Sequence, residues 1–319
     1  MKQQEQAAGE VLVAGSPAMR RLLETLDKVA SSDAVVRICG ESGTGKGYIA
    51  RHLHQRSARA AGPFVEIACA NLPENLFESE LFGYEKGSHT DASETRRGRL
   101  EEAAGGTVLF DGLGELAPTQ QAKLLRLLQE RCFERLGGHE SIPLNARVLV
   151  TSAEDLEQAV EQGRFRRDLF YRLDVVRLEV PPLRERADDI DRLATVFLRH
   201  YRKLYGKPMK VFTADARGLL RRHRWPGNVR ELRNVVEHAV LTSEGREVDA
   251  PDLRLGRPPA IPQLLEDGAR QGMSLAEVEA AYIRRVLLET RGNYTRAARV
   301  LGISRKTLLQ KRRRYGIPD

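Results

Sequence analysis

The stretch GESGTGKG, residues 40–47, decides the fold of this chain. It fits the pattern G-x-x-x-x-G-K, and its flanks agree with the pattern. AVVRIC, residues 34–39, is a β-branched apolar run, and GYIARHLHQRS, residues 47–57, carries apolar residues at helical spacing. A strand that breaks at Gly40, turns through glycines and opens a helix gathers backbone N–H groups around one point. The helix N-terminus adds a favourable dipole for an anion, and Lys46 adds a point charge for β- and γ-phosphates. Gly40, Glu41, Ser42, Gly43, Thr44, Gly45, Lys46 and Gly47 are therefore read as a cradle for ATP or ADP. A glycine-rich turn without a ligand is the alternative reading. Gly47 stands where a Ser or Thr hydroxyl would commonly meet Mg²⁺, so metal binding is expected to be loose.

On either side of the loop, apolar runs alternate with helical segments. PFVEIACA (63–70), VLFD (108–111) and ARVLVTS (146–152) read as further strands. Strands alternating with helices predict a largely parallel sheet covered on both faces, an α/β fold of the P-loop kind. Upstream, SPAMRRLLETLDKVA (16–30) has Ser16 as an N-cap and Pro17 at the first helical position. From about residue 181 the strands stop and helices take over, through 187–206, 213–225 and 227–245. VDAPDLRLGRPPAIPQ (248–263) is proline-rich and poorly periodic, as a linker would be. The expected organisation is a tail at 1–12, a nucleotide-binding α/β subdomain at 13–183 and a helical lid at 184–250. A linker at 251–272 and a basic all-helical domain at 273–319 complete it.

The 319 residues carry a net charge of +8, which favours an anionic partner. GNYTRAARVLGISRKTLLQKRRRYGI (292–317) concentrates that charge in a pattern of helix, tight turn at Gly302-Ile303-Ser304, and second helix capped by Ser304. This is a helix-turn-helix, and its partner is double-stranded DNA. The start of the second helix would enter the major groove, with Arg305, Lys306, Thr307 and Gln310 at base edges or nearby phosphates. Lys311, Arg312, Arg313 and Arg314, with Arg296 and Arg299, would neutralise phosphates. The preceding helix shows an apolar stripe at Leu275, Val278, Ala281, Tyr282 and Val286 that exceeds what so small a domain can bury. Cys39, Cys69 and Cys132 have no metal-ligand spacing and read as buried thiols of a reducing compartment. No apolar run approaches the roughly 18 residues of a membrane span, so the expectation is a cytoplasmic protein without a membrane partner.

The phosphate loop, ENLFESELFGYEKGSHTDA (74–92), GRLEEAAGGTVLFDGLGE (98–115), QAKLLRLLQERCFERLGG (121–138), GRFRRDLFYRLDVVRLEVPPLRER (163–186) and WPGNVREL (225–232) together resemble the AAA+ domain of the NtrC family of bacterial enhancer-binding proteins. These activators remodel sigma-54 RNA polymerase, and their C-terminal domain is of the Fis type. The resemblance implies that Asp111 holds Mg²⁺, that Arg166 and Arg172 reach across to a neighbour's nucleotide, and that Arg230 senses nucleotide from the lid. It implies a homo-oligomer, either a dimer through the DNA-binding domain or a hexameric ring. It also implies that Gly87, Ser88, His89, Thr90, Asp91 and Ala92 occupy the place of the sigma-54-contacting GAFTGA loop.

The departures fall at chemical positions. The family's water-preparing Glu after Asp111 is Gly112 here, its γ-phosphate sensor Asn is Ala153, and the Asn partner of the catalytic Glu is Ala68. In the loop, His89 replaces an aromatic and Asp91 a glycine, while Thr90 is kept. Phosphoryl transfer depends on positioning and charge, so a site without its water-orienting carboxylate should keep ground-state binding and lose most of its rate. Glu115, close in sequence, is the candidate substitute, against the plainer reading of a surface residue.

The resulting expectation is a DNA-binding regulator that binds nucleotide, hydrolyses it poorly and is not a standard sigma-54 activator. The alternatives are an active ATPase that opens sigma-54 promoters and a non-catalytic subunit that joins a ring with a catalytic homologue. No receiver domain is expected ahead of Val13.

Overall fold

The computed structural model describes residues 13–88, 92–208, 211–243, 245–255, 274–290 and 294–315. Five short strands pair as one parallel sheet: β1 (Val36–Cys39), β2 (Phe64–Ala68), β3 (Thr107–Asp111), β4 (Arg147–Ser152) and β5 (Val176–Glu179). Their order is β2-β3-β4-β1-β5. Central β1 and β4 are buried along their whole length, as strands covered on both faces must be. Strand β5 is not foreseen by the sequence reading. It lies at the sheet edge beside β1 and exposes Arg177 and Glu179, so it lacks the continuous apolar run that betrays the inner strands.

One face of the sheet packs on α1 (Pro17–Ala30) and α2 (Lys46–Gln55), with Met19, Leu22, Leu26, Ile49 and Leu53 against Val36, Ile38 and Leu149. Helix α1 starts as expected, with the Ser16 hydroxyl accepting from Met19 N at 3.3 Å. The other face packs on α3 (Glu74–Phe82), α4 (Arg99–Glu102), α5 (Pro118–Glu130), α6 (Leu156–Glu161) and α7 (Arg167–Leu173). The parallel strands β3, β4 and β1 end side by side, which brings Asp111, Ser152 and Gly40 to one edge, where ligands sit in open parallel sheets.

Three helices follow: α8 (Ala187–Leu204), α9 (Ala214–Arg222) and α10 (Asn228–Thr242). Trp225 is fully buried among them, and its indole N–H is satisfied by Leu220 O at 2.9 Å. The chain divides into two compact units, Met1–Arg254 and Leu255–Asp319. In the second, α11 (Leu275–Glu289), α12 (Tyr294–Val300) and α13 (Arg305–Arg314) close over Ile283, Val286, Leu287, Ala297, Ala298 and Leu308. The stripe read from the sequence differs from this buried face. Val286 enters the core and Tyr282 packs against it, while Val278 and Ala281 stay half-buried. Among the described residues no helix is long and apolar enough to cross a membrane.

Candidate functional site

The phosphate loop has the backbone its glycines predict, with positive φ at Gly40 (145°), Gly43 (78°) and Gly45 (99°). At Gly43 the requirement is also spatial: a Cβ there would lie 2.4 Å from Gly227 O, because the lid touches the loop at this point. Val229 N and Arg230 N both donate to Gly43 O, at 3.0 and 3.3 Å. Lys46 leads α2, and its Nζ donates to Gly40 O (2.7 Å) and Glu41 O (3.0 Å). Burial pushes the Lys46 amine below its usual value, against the pull of the Asp111 carboxylate. A partly desolvated cation held beside N–H groups at a helix start is suited to receive phosphate oxygens.

The lid grips the loop through side chains that the sequence reading assigned only in part. Glu41 takes a bidentate pair from Arg184 at 2.8 and 2.7 Å, and Asn228 Nδ2 donates to Glu41 Oε2 (3.1 Å) and Ser42 O (3.0 Å). Arg184 first, then burial opposing it and Asn228 assisting, hold the Glu41 carboxyl below its ordinary range. Asn228 is fully buried at a positive φ of 51°, and its Oδ1 accepts from Leu183 N at 2.8 Å. Arg230 Nη1 donates to Ser42 Oγ at 3.1 Å, which places this side chain at the loop. The signal for Asn228 was present in WPGNVREL, but only the packed lid gives it a partner.

At the end of β3, Asp111 accepts a hydrogen bond from the Thr151 hydroxyl of β4. Thr151 Oγ1 in turn accepts from Gly112 N at 3.0 Å. Thr151 is fully buried and was missed in the sequence, where it passes for one more β-branched core residue. Gly112 takes the left-handed conformation, φ 78° and ψ 44°. A Cβ built on it would meet Glu115 Oε1 at 3.4 Å, so the Glu115 carboxylate stands beside the space a side chain at 112 would fill. Ala153 is exposed just past β4, and Ala68 pairs with Asp111 across β2 and β3.

Glu66 on β2 is a second missed residue. Its Oε1 lies 3.7 Å from where a Gly47 Cβ would sit, and Arg51 reaches its Oε2 at 3.3 Å. Partial burial and then the nearby Asp111 charge raise its carboxyl, against Arg51. Magnesium takes one or two carboxylates together with phosphate oxygens and water, a donor set that Asp111 can join even though Gly47 offers no hydroxyl.

Arg166 and Arg172 flank and end α7. Arg166 is exposed and makes a two-point pair with Asp168 (3.0 and 2.7 Å), while Arg172 Nη2 donates to Leu128 O at 3.1 Å. Neither approaches the phosphate loop of its own chain through any hydrogen bond or ion pair. The root of the altered loop is defined: Gly87 has φ 83° and its N–H donates to Ala92 O at 2.8 Å. Ala92 is buried and Ser88 packs against Gly137. His89, Thr90 and Asp91 lie outside the described residues.

In the second unit Gly302 turns at φ 64° and Ser304 caps α13, accepting from Thr307 N at 3.0 Å. Arg305, Gln310 and Arg314 are exposed along α13. Two of the basic residues have partners within the unit. Lys311 pairs with Glu279 at 2.7 Å, and Arg312 Nη1 donates to the Tyr294 hydroxyl at 2.6 Å with its guanidinium over that ring. The side chains of Lys306, Arg313, Arg296 and Arg299 lie outside the described set.

Three family matches cover this architecture: the sigma-54 interaction domain over residues 12–179, the AAA+ ATPase lid domain over 184–257, and the bacterial regulatory protein Fis family over 274–315. The transcriptional regulatory protein FlbD of Caulobacter vibrioides is 46% identical over 318 residues, spanning 95% of this chain and 70% of that protein. The regulatory protein AtoC of Escherichia coli is 45% identical over 316 residues, spanning 96% and 68%. Among solved structures, NtrX of Brucella abortus in complex with ATP superposes with a TM-score of 0.72 at 33% identity, covering 99% of this chain and 72% of that one. NtrX has also been solved in complex with ADP.

Proposed function

The chain belongs to the sigma-54 interaction domain family of NtrC-type transcriptional regulators, and from that premise we propose that it binds double-stranded DNA and ATP or ADP but turns nucleotide over slowly. The observation that carries the slow turnover is the end of β3, where Gly112 is left-handed and tied to Thr151, with no carboxylate following Asp111. Nucleotide would lie on the N–H groups of the phosphate loop, with Lys46 and Arg230 on its phosphates and the lid clasped through Glu41, Arg184 and Asn228. Asp111 would hold Mg²⁺ when bound, and the metal would neutralise phosphate charge. Such a site retains ground-state electrostatics and lacks the group that orients water, so affinity survives where rate does not. Arg166 and Arg172 would then let nucleotide act as a bond between copies in an oligomer, and the altered 87–92 loop makes standard sigma-54 remodelling the less favoured output.

The test is phosphate release from ATP, measured with nucleotide affinity on the same protein at concentrations that allow assembly. Tight binding with turnover at the background level supports the proposal; turnover that vanishes in Lys46→Ala overturns it. A second reading, an active ATPase, is favoured by one observation: the Glu115 carboxylate beside the vacant side-chain position of Gly112. It requires that any measured turnover be lost in Glu115→Gln.

A further inference from the structure

Arg37 is a cation buried in the strand that runs into the phosphate loop, and nucleotide contact does not account for it. Its side chain is 2% exposed. Its neighbours Val36 and Ile38 pack with α1 and α2, so the alternation of β1 turns Arg37 to the opposite layer, toward α6 and α7. There its Nε donates to Asp174 Oδ1 at 2.9 Å, Nη2 joins the same carboxylate, and the guanidinium lies 5.2 Å from the Phe170 ring centroid. Glu157 of α6 stands 3.9 Å away. An ion pair with one partner buried and the other part-exposed adds little stability over apolar residues, but two guanidinium N–H groups converging on Asp174 Oδ1 fix position.

What it fixes is α7. Asp174 is the C-cap of that helix, an end where the helix dipole disfavours a carboxylate, and Arg37 offsets the penalty. At the other end, Arg166 N donates to Gln121 Oε1 at 2.9 Å. Gln121 is fully buried, and its Nε2 donates to Leu116 O (2.8 Å) and Arg164 O (3.0 Å). Both ends of α7 are thus tied to elements that lead into or out of the nucleotide edge. One tie runs through Arg37 to the strand entering Gly40, the other through Gln121 to the turn that follows Asp111. The exposed side of α7 presents Arg166, Tyr171 and Arg172.

We propose that Arg37, acting through Asp174, is a positioning residue that couples the strand entering the phosphate loop to α7 and so sets how Arg166 and Arg172 meet the nucleotide of a second copy of this chain. The inference rests on the reading of those two arginines given under the proposed function. It is tested by ATP-promoted self-association in the ultracentrifuge, with ATP affinity of the dilute protein measured in parallel. In Arg37→Met the remaining Asp174 side chain, 31% exposed in the parent, can be hydrated, which limits the cost to folding. The double variant Arg37→Met/Asp174→Asn removes both charges and keeps the test open if the single variant does not fold.

Both are expected to bind ATP as the parent does when dilute, and to need roughly tenfold more protein for ATP-promoted association, since neutral replacement spares stability and loses the fixed geometry. Arg37→Lys, with charge but no fork, should fall between. ATP-promoted association at parental concentrations in both Met variants, with Arg166→Ala impaired, overturns the role of Arg37. Association unchanged in Arg166→Ala overturns the reading of the arginines and this inference with it.

Discussion

Replacing Gly112 with glutamate restores the carboxylate that the family carries, yet the structure predicts a penalty and no gain in rate. At φ 78° and ψ 44° an L-residue pays for the clash of its Cβ with backbone, about 1–2 kcal/mol. The space itself is not closed: the nearest atom to a new Cβ is Glu115 Oε1 at 3.4 Å, a movable side-chain end. The obstacle is the backbone, pinned by the bond from Gly112 N to Thr151 Oγ1, which also ties Asp111. Trp225, the one tryptophan in the chain, is buried in the lid, so its fluorescence reports on the first unit alone. Followed by that signal, Gly112→Glu should melt about 2–8 °C below the parent for a unit of this size. Gly112→Ala should lose nearly as much, which assigns the loss to φ and not to charge. Phosphate release should stay at the parent level in Gly112→Glu and rise in Gly112→Glu/Thr151→Ala, where the turn is free to rearrange. A Gly112→Glu protein that melts with the parent and hydrolyses ATP without the second change would refute the reasoning.

Three further outcomes follow from the geometry. Lys46→Ala should weaken ATP affinity at least tenfold, because the cation that meets the phosphates is lost; equilibrium titration with a fluorescent ATP analogue checks it, and an unchanged Kd contradicts the site. Glu41 has a folded pKa below its ordinary value of 4.5, so its clasp with Arg184 stabilises fully above 4.5 and is lost as pH falls through the lower folded value. Acidification from above 4.5 to well below it should therefore lower the melting temperature of the parent more than that of Glu41→Gln; parallel curves would remove the clasp from the account. On DNA, Arg305→Ala should cost about 1–3 kcal/mol and relax selectivity at one position if it reads a base edge. Lys311→Ala, whose side chain already pairs with Glu279, should cost the second unit less than about 1 kcal/mol of stability and weaken binding evenly across sequences. Footprinting with melting of both variants distinguishes the two roles.

The sequence alone determined the parts whose physics is local. GESGTGKG announces a phosphate loop because glycines readily take positive φ at positions 40, 43 and 45, and the inner strands announce themselves because most residues buried on both sheet faces are apolar. Ser16 and Ser304 could be read as caps since a hydroxyl three residues ahead of a free N–H has one evident use. The missing carboxylate at 112 was also legible, as a letter absent from a known pattern. Tertiary structure decided what those letters touch. Strand β5 was hidden because an edge strand needs only half an apolar pattern. Thr151, Gln121 and Arg37 were invisible as site residues, and Asn228 stood in WPGNVREL without a partner, because each gains its meaning from a group distant in sequence. Thr151 is set by Asp111, Asn228 by Glu41, Gln121 by Arg164 and Arg166, and Arg37 by Asp174. A hydrogen bond or ion pair across the fold leaves no periodicity in the chain, since its requirement is a position in space and not a spacing in sequence.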